Sequence, residues 1–290
     1  MTQIAVIGPG AIGCTVAAWL MQNSAHDVMV AARTAIVDLE IETTEGVLKA
    51  APRVIAHVDA ATRVDWVLVT TKAYDANGAA AWFKGLCDAG TIVAVLQNGV
   101  EHVERFAPYI AREHILPVMV DLPAERTAPG RVRQRNSGRM VVPQGGIGAG
   151  FVELFSHTHI AVSQSTDFKT EVWSKLCINS VGALSAILLK PAVIAHHEGV
   201  AQIMRGIVRE CIAVGRAEGA LLPDSLTQSV LAGYRSAAPD SLNSLHADRL
   251  AGRRMEIDAR NGVIVRLGQK HGIPTPLNTM VVALLEATSV

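Results

Sequence analysis

Two textures in the sequence predict an α/β fold, a doubly wound parallel sheet over residues 1–166 followed by an all-helical domain over 167–290. The first observation is a series of short β-branched runs, apolar throughout and separated by helical patterns, as in strands buried on both faces. The second is a glycine cluster, GPGAIG, placed directly after the first of those runs. The third is a helical periodicity that continues almost unbroken from Asp167 to the C-terminus.

The runs IAVIG (4–8), DVMVAAR (27–33), WVLVTTK (66–72), TIVAVLQNG (91–99) and HILPVMVD (114–121) are the expected strands of the parallel sheet. Between 122 and 164 the composition turns to Gly, Pro and Arg, and RVRQRNSGRMVVPQGGIGAG predicts hairpin-like strands that extend the same sheet. Arg126, Arg131, Arg133, Arg135 and Arg139 crowd this segment and read as the solvated face of a hairpin. Helices are expected in DFKTEVWSKLCINSVGALSAILL, GVAQIMRGIVRECIAVGRAEGA, PDSLTQSVLAGYRSA, RRMEIDARNGVIVRLGQKHG and PLNTMVVALLEAT.

Of the 290 residues, 50% are hydrophobic and 18% charged, an ordinary globular composition with room for two domains. The 26 basic and 26 acidic residues cancel without forming blocks, which argues against nucleic acid or an anionic membrane surface as a partner. Cys14, Cys87, Cys177 and Cys211 form no CxxC pair, so neither zinc nor a disulfide framework is expected. The pairs His157/His159 and His196/His197 lack a third ligand at useful spacing, and no metal site is expected. The start, MTQIAVIGPG, has no basic leader, and no apolar run nears the roughly 20 residues that span a bilayer, so a cytoplasmic, soluble protein is expected. The apolar helical domain is compatible with a homodimer interface or with a core of its own.

In GPGAIG, Gly8, Gly10 and Gly13 enclose Ala11 and Ile12 between a strand and an apolar helix. Glycines at these offsets permit the tight turn, let the backbone approach a pyrophosphate and let the helix pack close to the strand, while the helix start offers N–H groups to the anion. A dinucleotide-binding, Rossmann-type domain follows. The second run ends in Arg33 and Thr34 where an acidic residue would receive a ribose 2′-hydroxyl; a guanidinium and a hydroxyl suit a 2′-phosphate, so NADP(H) is the expected cofactor. Lys72 and Asn98 close two further runs at the edge where open α/β sheets bind ligands. Farther on, Lys175 and Asn179 are spaced to share a helix face, either as solvent-facing decoration or converging on one small polar ligand. Glu256 reads either as a surface residue paired with Arg253 or Arg260, or as a site carboxylate. Ser244 and Asp248 lie one turn apart, and a serine at a helix start is often a cap.

The ordered set GPGAIG, Arg33, TTKAYD, LQNGVEHVE, EVWSKLCIN, NSLHADR, MEIDARNG and HGIPTPLN resembles the ketopantoate reductases (2-dehydropantoate 2-reductases), within the 6-phosphogluconate-dehydrogenase-like superfamily, over nearly the whole chain. The resemblance implies NADPH-dependent reduction of a small-molecule 2-oxo acid to a 2-hydroxy acid, with ketopantoate as the substrate expected first. It further implies Lys175 as general acid in a cleft between the domains and Glu256 as its partner. Asn98, Asn179 and Ser244 would hold the substrate, with Lys72 near the cofactor. A lysine suits the chemistry, because hydride addition to a ketone develops an alkoxide that needs both a proton and a positive charge. One departure stands out: Ala183 occupies the place of a second substrate-facing asparagine, and no proline follows. A reductase of another 2-oxo or 3-hydroxy acid, or an NADP-binding protein without catalysis, are the alternatives. The first differs in the asparagine spacing after the lysine, and the second would be expected to have lost Lys175 or Glu256.

Overall fold

The chain begins β1 (Thr2–Ile7), α1 (Ala11–Leu20), β2 (His26–Ala31), β3 (Leu39–Thr43), β4 (Gly46–Ala50), β5 (Arg53–Ile55), β6 (Trp66–Val69), α2 (Ala76–Ala80), α3 (Phe83–Leu86), β7 (Ile92–Val95), α4 (His102–Phe106) and β8 (Ile115–Pro117). It continues β9 (Met119–Asp121), β10 (Ala124–Ala128), β11 (Arg131–Gln134), β12 (Arg139–Pro143), α5 (Gly146–Leu154) and β13 (Ala161–Ser165). Helices follow: α6 (Phe168–Leu188), α7 (Glu198–Ala217), α8 (Leu226–Ser236), α9 (Ser244–Leu250), α10 (Val263–His271) and α11 (Pro276–Ala287). This computed structural model describes residues 1–33 and 36–288, and the chain divides into two units, Met1–Phe168 and Lys169–Val290. Among the described residues no helix is long and apolar enough to cross a membrane.

The central sheet of the first unit is parallel throughout, in the order β5-β2-β1-β6-β7-β8. Alternation along β1 sends Ile4 and Val6 to one face and Ala5 and Ile7 to the other, and all four are at most 2% exposed. One face packs on α1 through Val16, Ala17 and Leu20, and the other receives Phe83, Leu86 and Phe106. Burial on both faces is why the strand sequences read as continuous apolar runs.

Three expectations need correction. HILPVMVD is two short strands, not one: β8 stays in the central sheet, while β9 leaves it to pair antiparallel with β12. Pro117 at the end of β8 has no N–H to continue a ladder, which favours a break there. The segment 122–164 does not extend the central sheet. β10 and β11 join β3 and β4 in a four-stranded sheet of order β10-β11-β3-β4, and β12 lies between β13 and β9 in a three-stranded one. The four-stranded sheet covers α1, where buried Trp19 donates its indole N–H to Gln134 Oε1 at 2.9 Å. Local periodicity did not reveal β3, β4, β5 or the glycine-rich helix α5. The arginines of this segment are largely paired: Arg131 with Asp38, Arg133 with Glu42 and Arg135 with Glu125, at 2.9, 3.0 and 3.0 Å.

In the second unit α7 is amphipathic, burying Ala201, Met204, Ile207, Val208, Cys211 and Ile212 at the spacing of one helix face. The start of α11 is closed by a side chain from α7. Glu210 accepts the N–H groups of Leu277 and Asn278 at 2.9 Å each, and Asn278 Nδ2 at 2.7 Å. The helix expected over 253–272 begins later: residues Asp258–Gly262 form a π-helical turn, with Gly262 N–H donating to Ile257 O at 3.0 Å, and α10 follows.

Candidate active site

The carboxyl edge of the central sheet carries the first group of candidate residues. Gly8 follows β1 at φ +94°, a backbone conformation that a side chain resists, and a Cβ there would lie 2.7–3.0 Å from Thr71. Gly10 N–H turns back to Gly8 O at 2.7 Å, and α1 starts at Ala11. A Cβ on Gly13 would stand 2.3 Å from Gly8 O and 2.4 Å from Thr70 Oγ1, so helix and turn touch only because position 13 has no side chain. Thr70 Oγ1 secures the turn from the next strand, 2.9 Å from Ile7 O and 2.7 Å from Gly8 O. Gly10 differs: a Cβ built on it meets nothing within 4 Å. The turn is thus a cradle with open space over Gly10 and N–H groups of a helix start beside it, which fits the pyrophosphate of a dinucleotide. Ala11 and Ile12, the first residues of α1, are half-buried at its rim.

Because β2 and β6 flank β1, and β7 lies beside β6, the loops carrying Arg33, Lys72 and Asn98 leave the same edge as the cradle. Arg33 is exposed and Nη2 meets Asp75 Oδ2 at 2.7 Å. Thr34, read with it as a 2′-phosphate ligand, lies outside the described residues. Lys72 and Asn98 are half-buried, and the loops that carry them are tied together by Gln97, a residue sequence reasoning passed over. Gln97 Nε2 donates to Thr71 Oγ1 at 3.0 Å and Lys72 O at 3.3 Å, while its Oε1 accepts from Arg105 Nη1 at 3.0 Å. His102, buried below, donates from Nε2 to Gln97 O at 2.8 Å. Burial, with the charge of Arg105 adding to it, pulls His102 down to about 4, so the ring is neutral near pH 7 with its proton on the nitrogen facing that carbonyl.

The second group sits in the helical unit. Lys175 and Asn179 are half-buried on α6, one turn apart. Glu256 is 5% exposed, and Arg253 turns instead to Asp248 at 2.9 Å, so the reading of Glu256 as a surface residue paired with Arg253 does not describe the folded chain. The π-helical turn after Glu256 is anchored on α6 by Asn261, fully buried, whose Nδ2 lies 3.1 Å from Ser180 O and 2.9 Å from Asn278 Oδ1. Arg260, in the same turn, is 3% exposed with Nε and Nη1 lacking a hydrogen-bond partner. Burial lowers its guanidinium from the ordinary value, and Tyr234, Glu256 and Asp248 pull it back up. Ser244 is the exposed first residue of α9 and does not cap it. Asn243 does, accepting from the N–H groups of Leu245 and His246 at 3.0 and 3.1 Å and donating to Gly182 O at 3.0 Å. Ala183 is fully buried in α6. The helical unit also holds an apolar pocket of about 370 Å³, lined among others by Ile178, Ser185, Tyr234 and Asn243, but none of the candidate site residues lines it.

No notable signal in the sequence marked Asp75, Gln97, Asn243 or Asn261, although all four fall inside the motifs TTKAYD, LQNGVEHVE, NSLHADR and MEIDARNG. Their roles depend on which loops the fold brings together.

A parallel sheet with a glycine cradle at its carboxyl edge, followed by a helical unit, is the build of a dinucleotide-binding protein. Residues 4–146 match the family model described as "Ketopantoate reductase PanE/ApbA", and residues 167–289 the one described as "Ketopantoate reductase PanE/ApbA C terminal". A 2-dehydropantoate 2-reductase of Caulobacter vibrioides is 57% identical over 289 residues, covering 100% of both chains. Among solved structures, a PanE/ApbA family ketopantoate reductase from Ralstonia eutropha JMP134 superposes with a TM-score of 0.91 at 31% identity, covering 99% of this chain and 98% of the other. A 2-dehydropantoate 2-reductase from Geobacter metallireducens GS-15 gives a TM-score of 0.92 at 26% identity, covering 98% and 99%. The chain belongs to the ketopantoate reductase PanE/ApbA family.

Proposed function

We propose that this chain reduces 2-dehydropantoate to pantoate with NADPH. The observation that carries the reading is full-length identity of 57% to a 2-dehydropantoate 2-reductase, in a chain that has a lysine at 175, a carboxylate at 256, amides at Asn98 and Asn179 and a hydroxyl at Ser244. Residues 1–166 serve as the cofactor-binding domain and 167–290 as the substrate and catalytic domain.

When bound, the nicotinamide supplies a hydride to the carbonyl carbon of the substrate. The chain's own work is to hold and to protonate. Gly8 and Gly10 shape the turn that lets the pyrophosphate approach, the N–H groups of Ala11, Ile12 and Gly13 at the helix start receive it, and Arg33 pairs with the 2′-phosphate. Lys72 adds a cation near the cofactor. Lys175 donates a proton from Nζ to the carbonyl oxygen as negative charge develops there, and its own charge stabilises that oxygen before the proton moves. Glu256 orients the ammonium. Asn98, Asn179 and Ser244 hold the substrate's oxygens through amide and hydroxyl groups that do not compete for the proton at neutral pH. With alanine at position 183 one amide of the expected set is missing, which favours looser recognition of the 2-oxo acid than of the cofactor.

The test is NADPH oxidation, followed at the nicotinamide absorbance, with 2-dehydropantoate beside a panel of other 2-oxo acids and with NADH in parallel. Turnover with 2-dehydropantoate well above the rest is expected. Turnover confined to another 2-oxo acid would overturn the substrate, and equal use of NADH would overturn the cofactor preference.

A further inference from the structure

Arg33 follows β2 and Asp75 follows β6, the two strands on either side of β1. Their side chains nonetheless meet at 2.7 Å, so the pair reaches across the end of β1, where the glycine turn opens. Its two members are held unequally. The Arg33 side chain is 79% exposed, on a long flexible stem. That of Asp75 is only 26% exposed, and its position is constrained from below. Its backbone N–H donates to Lys72 O at 2.9 Å, and its Oδ1 occupies the space that a Cβ on Gly78 would need, 2.3 Å from it. The carboxylate is the less exposed partner and sits against the Gly78 backbone, and the guanidinium is the one that reaches into solvent.

We propose that Asp75 is a specificity-determining residue, which holds the Arg33 guanidinium in reserve and opposes a 2′-phosphate, so that the chain separates NADPH from NADH less sharply than Arg33 alone would. The inference rests on the reading of Arg33 as the 2′-phosphate ligand. A phosphate monoester at Arg33 must displace or share a charge-assisted bond with Asp75, and it then lies beside a fixed negative charge. A ribose 2′-hydroxyl meets no such repulsion and can donate to the same carboxylate. The acidic residue that a strand ending in Arg33 lacks is thereby supplied from the loop after β6, on the far side of β1.

The experiment measures binding of NADPH, NADH and 2′,5′-ADP by calorimetry to the full chain, to Asp75→Asn and to Arg33→Ala, at low and high salt. Asp75→Asn is expected to bind 2′,5′-ADP and NADPH roughly three- to tenfold tighter, a gain that shrinks in high salt because exposed charges are screened. NADH binding should stay level or weaken. Unchanged or weaker 2′,5′-ADP binding by Asp75→Asn, with Arg33→Ala binding it worse than wild type, would overturn the role of Asp75 and leave that of Arg33 standing. If Arg33→Ala binds 2′,5′-ADP as wild type does, the 2′-phosphate reading itself fails and the proposal falls with it.

Discussion

The two glycines that matter most in the cradle should respond to the same substitution in opposite ways. At Gly10 an added methyl meets no atom within 4 Å, and φ is −80°, a value alanine adopts freely. Gly10→Ala should therefore leave the fold intact or slightly stabilise it, since alanine restricts the unfolded chain by about 0.4–1 kcal/mol relative to glycine. The methyl would, however, fill the space through which the backbone approaches the pyrophosphate, and a loss of at least about tenfold in NADPH affinity, roughly 1.4 kcal/mol, is expected. At Gly13 the added Cβ lies 2.3 Å from Gly8 O, a backbone atom that no rotamer change removes, and 2.4 Å from Thr70 Oγ1. Overpacking costs about 1–3 kcal/mol, and a clash with a backbone atom takes the upper part of that range, about 2–3 kcal/mol, against about 1 kcal/mol gained because alanine suits a helix better. The net is a destabilisation of about 1–2 kcal/mol. For a unit of this size the melting temperature should fall by roughly 2–8 °C. Thermal unfolding of the ligand-free chain and calorimetric titration with NADPH separate the two effects. NADPH binding by Gly10→Ala at wild-type strength, or a Gly13→Ala chain as stable as wild type, would refute the account of the turn.

Further outcomes follow from the helical unit and from the loop beneath Asn98. Lys175→Ala should lower kcat by about two to four orders of magnitude while calorimetric NADPH affinity stays within about twofold, because the ammonium acts on the substrate oxygen; near-normal turnover would remove Lys175 from its role. His102 should make the first unit acid-sensitive. Its ring is held near 4 in the folded chain against the usual 6.5, so below pH 6.5 the unfolded chain binds a proton that the folded one refuses until the pH nears 4. Stability is lost across that window, by roughly 2 kcal/mol between about pH 6.5 and about pH 5. Urea unfolding of wild type and His102→Gln at about pH 7.5 and about pH 5 checks this: the difference between the two chains should move in favour of the variant at the lower pH by about that amount, and an unchanged difference would exclude His102 as the source.

Much of this protein is written in short-range pattern. The apolar runs of β1, β2, β6 and β7 announce strands because both faces of the sheet are covered, and three glycines at fixed offsets announce the turn because each is required by local geometry. The helices of the second half follow from a 3.6-residue period that α7 shows over its length. The same local reading identified Lys175 and Asn179 as neighbours, since helix spacing alone puts them on one face. It failed where pairing is long-range. The strands over 39–55 and 124–134 are short, and although β3 alternates buried Leu39 and Ile41 with polar residues, whether they extend the central sheet or build another is decided by partners some 90 residues away, as when Arg133 pairs with Glu42. The site shows the same division. Sequence identified Arg33 as the charge at the end of β2; only the strand order, with β2 and β6 on either side of β1, sets Asp75, 42 positions on, against it. Likewise the sequence left Glu256 as surface or site with equal ease; the fold buries it, at 5% exposure, ahead of a turn that Asn261 ties to Ser180 O on α6. Spacing along the chain determines which residues can share a face, because the backbone geometry is local. Which faces and loops then meet is a property of packing, and in this protein that is what sets an exposed arginine after one strand against a carboxylate after another.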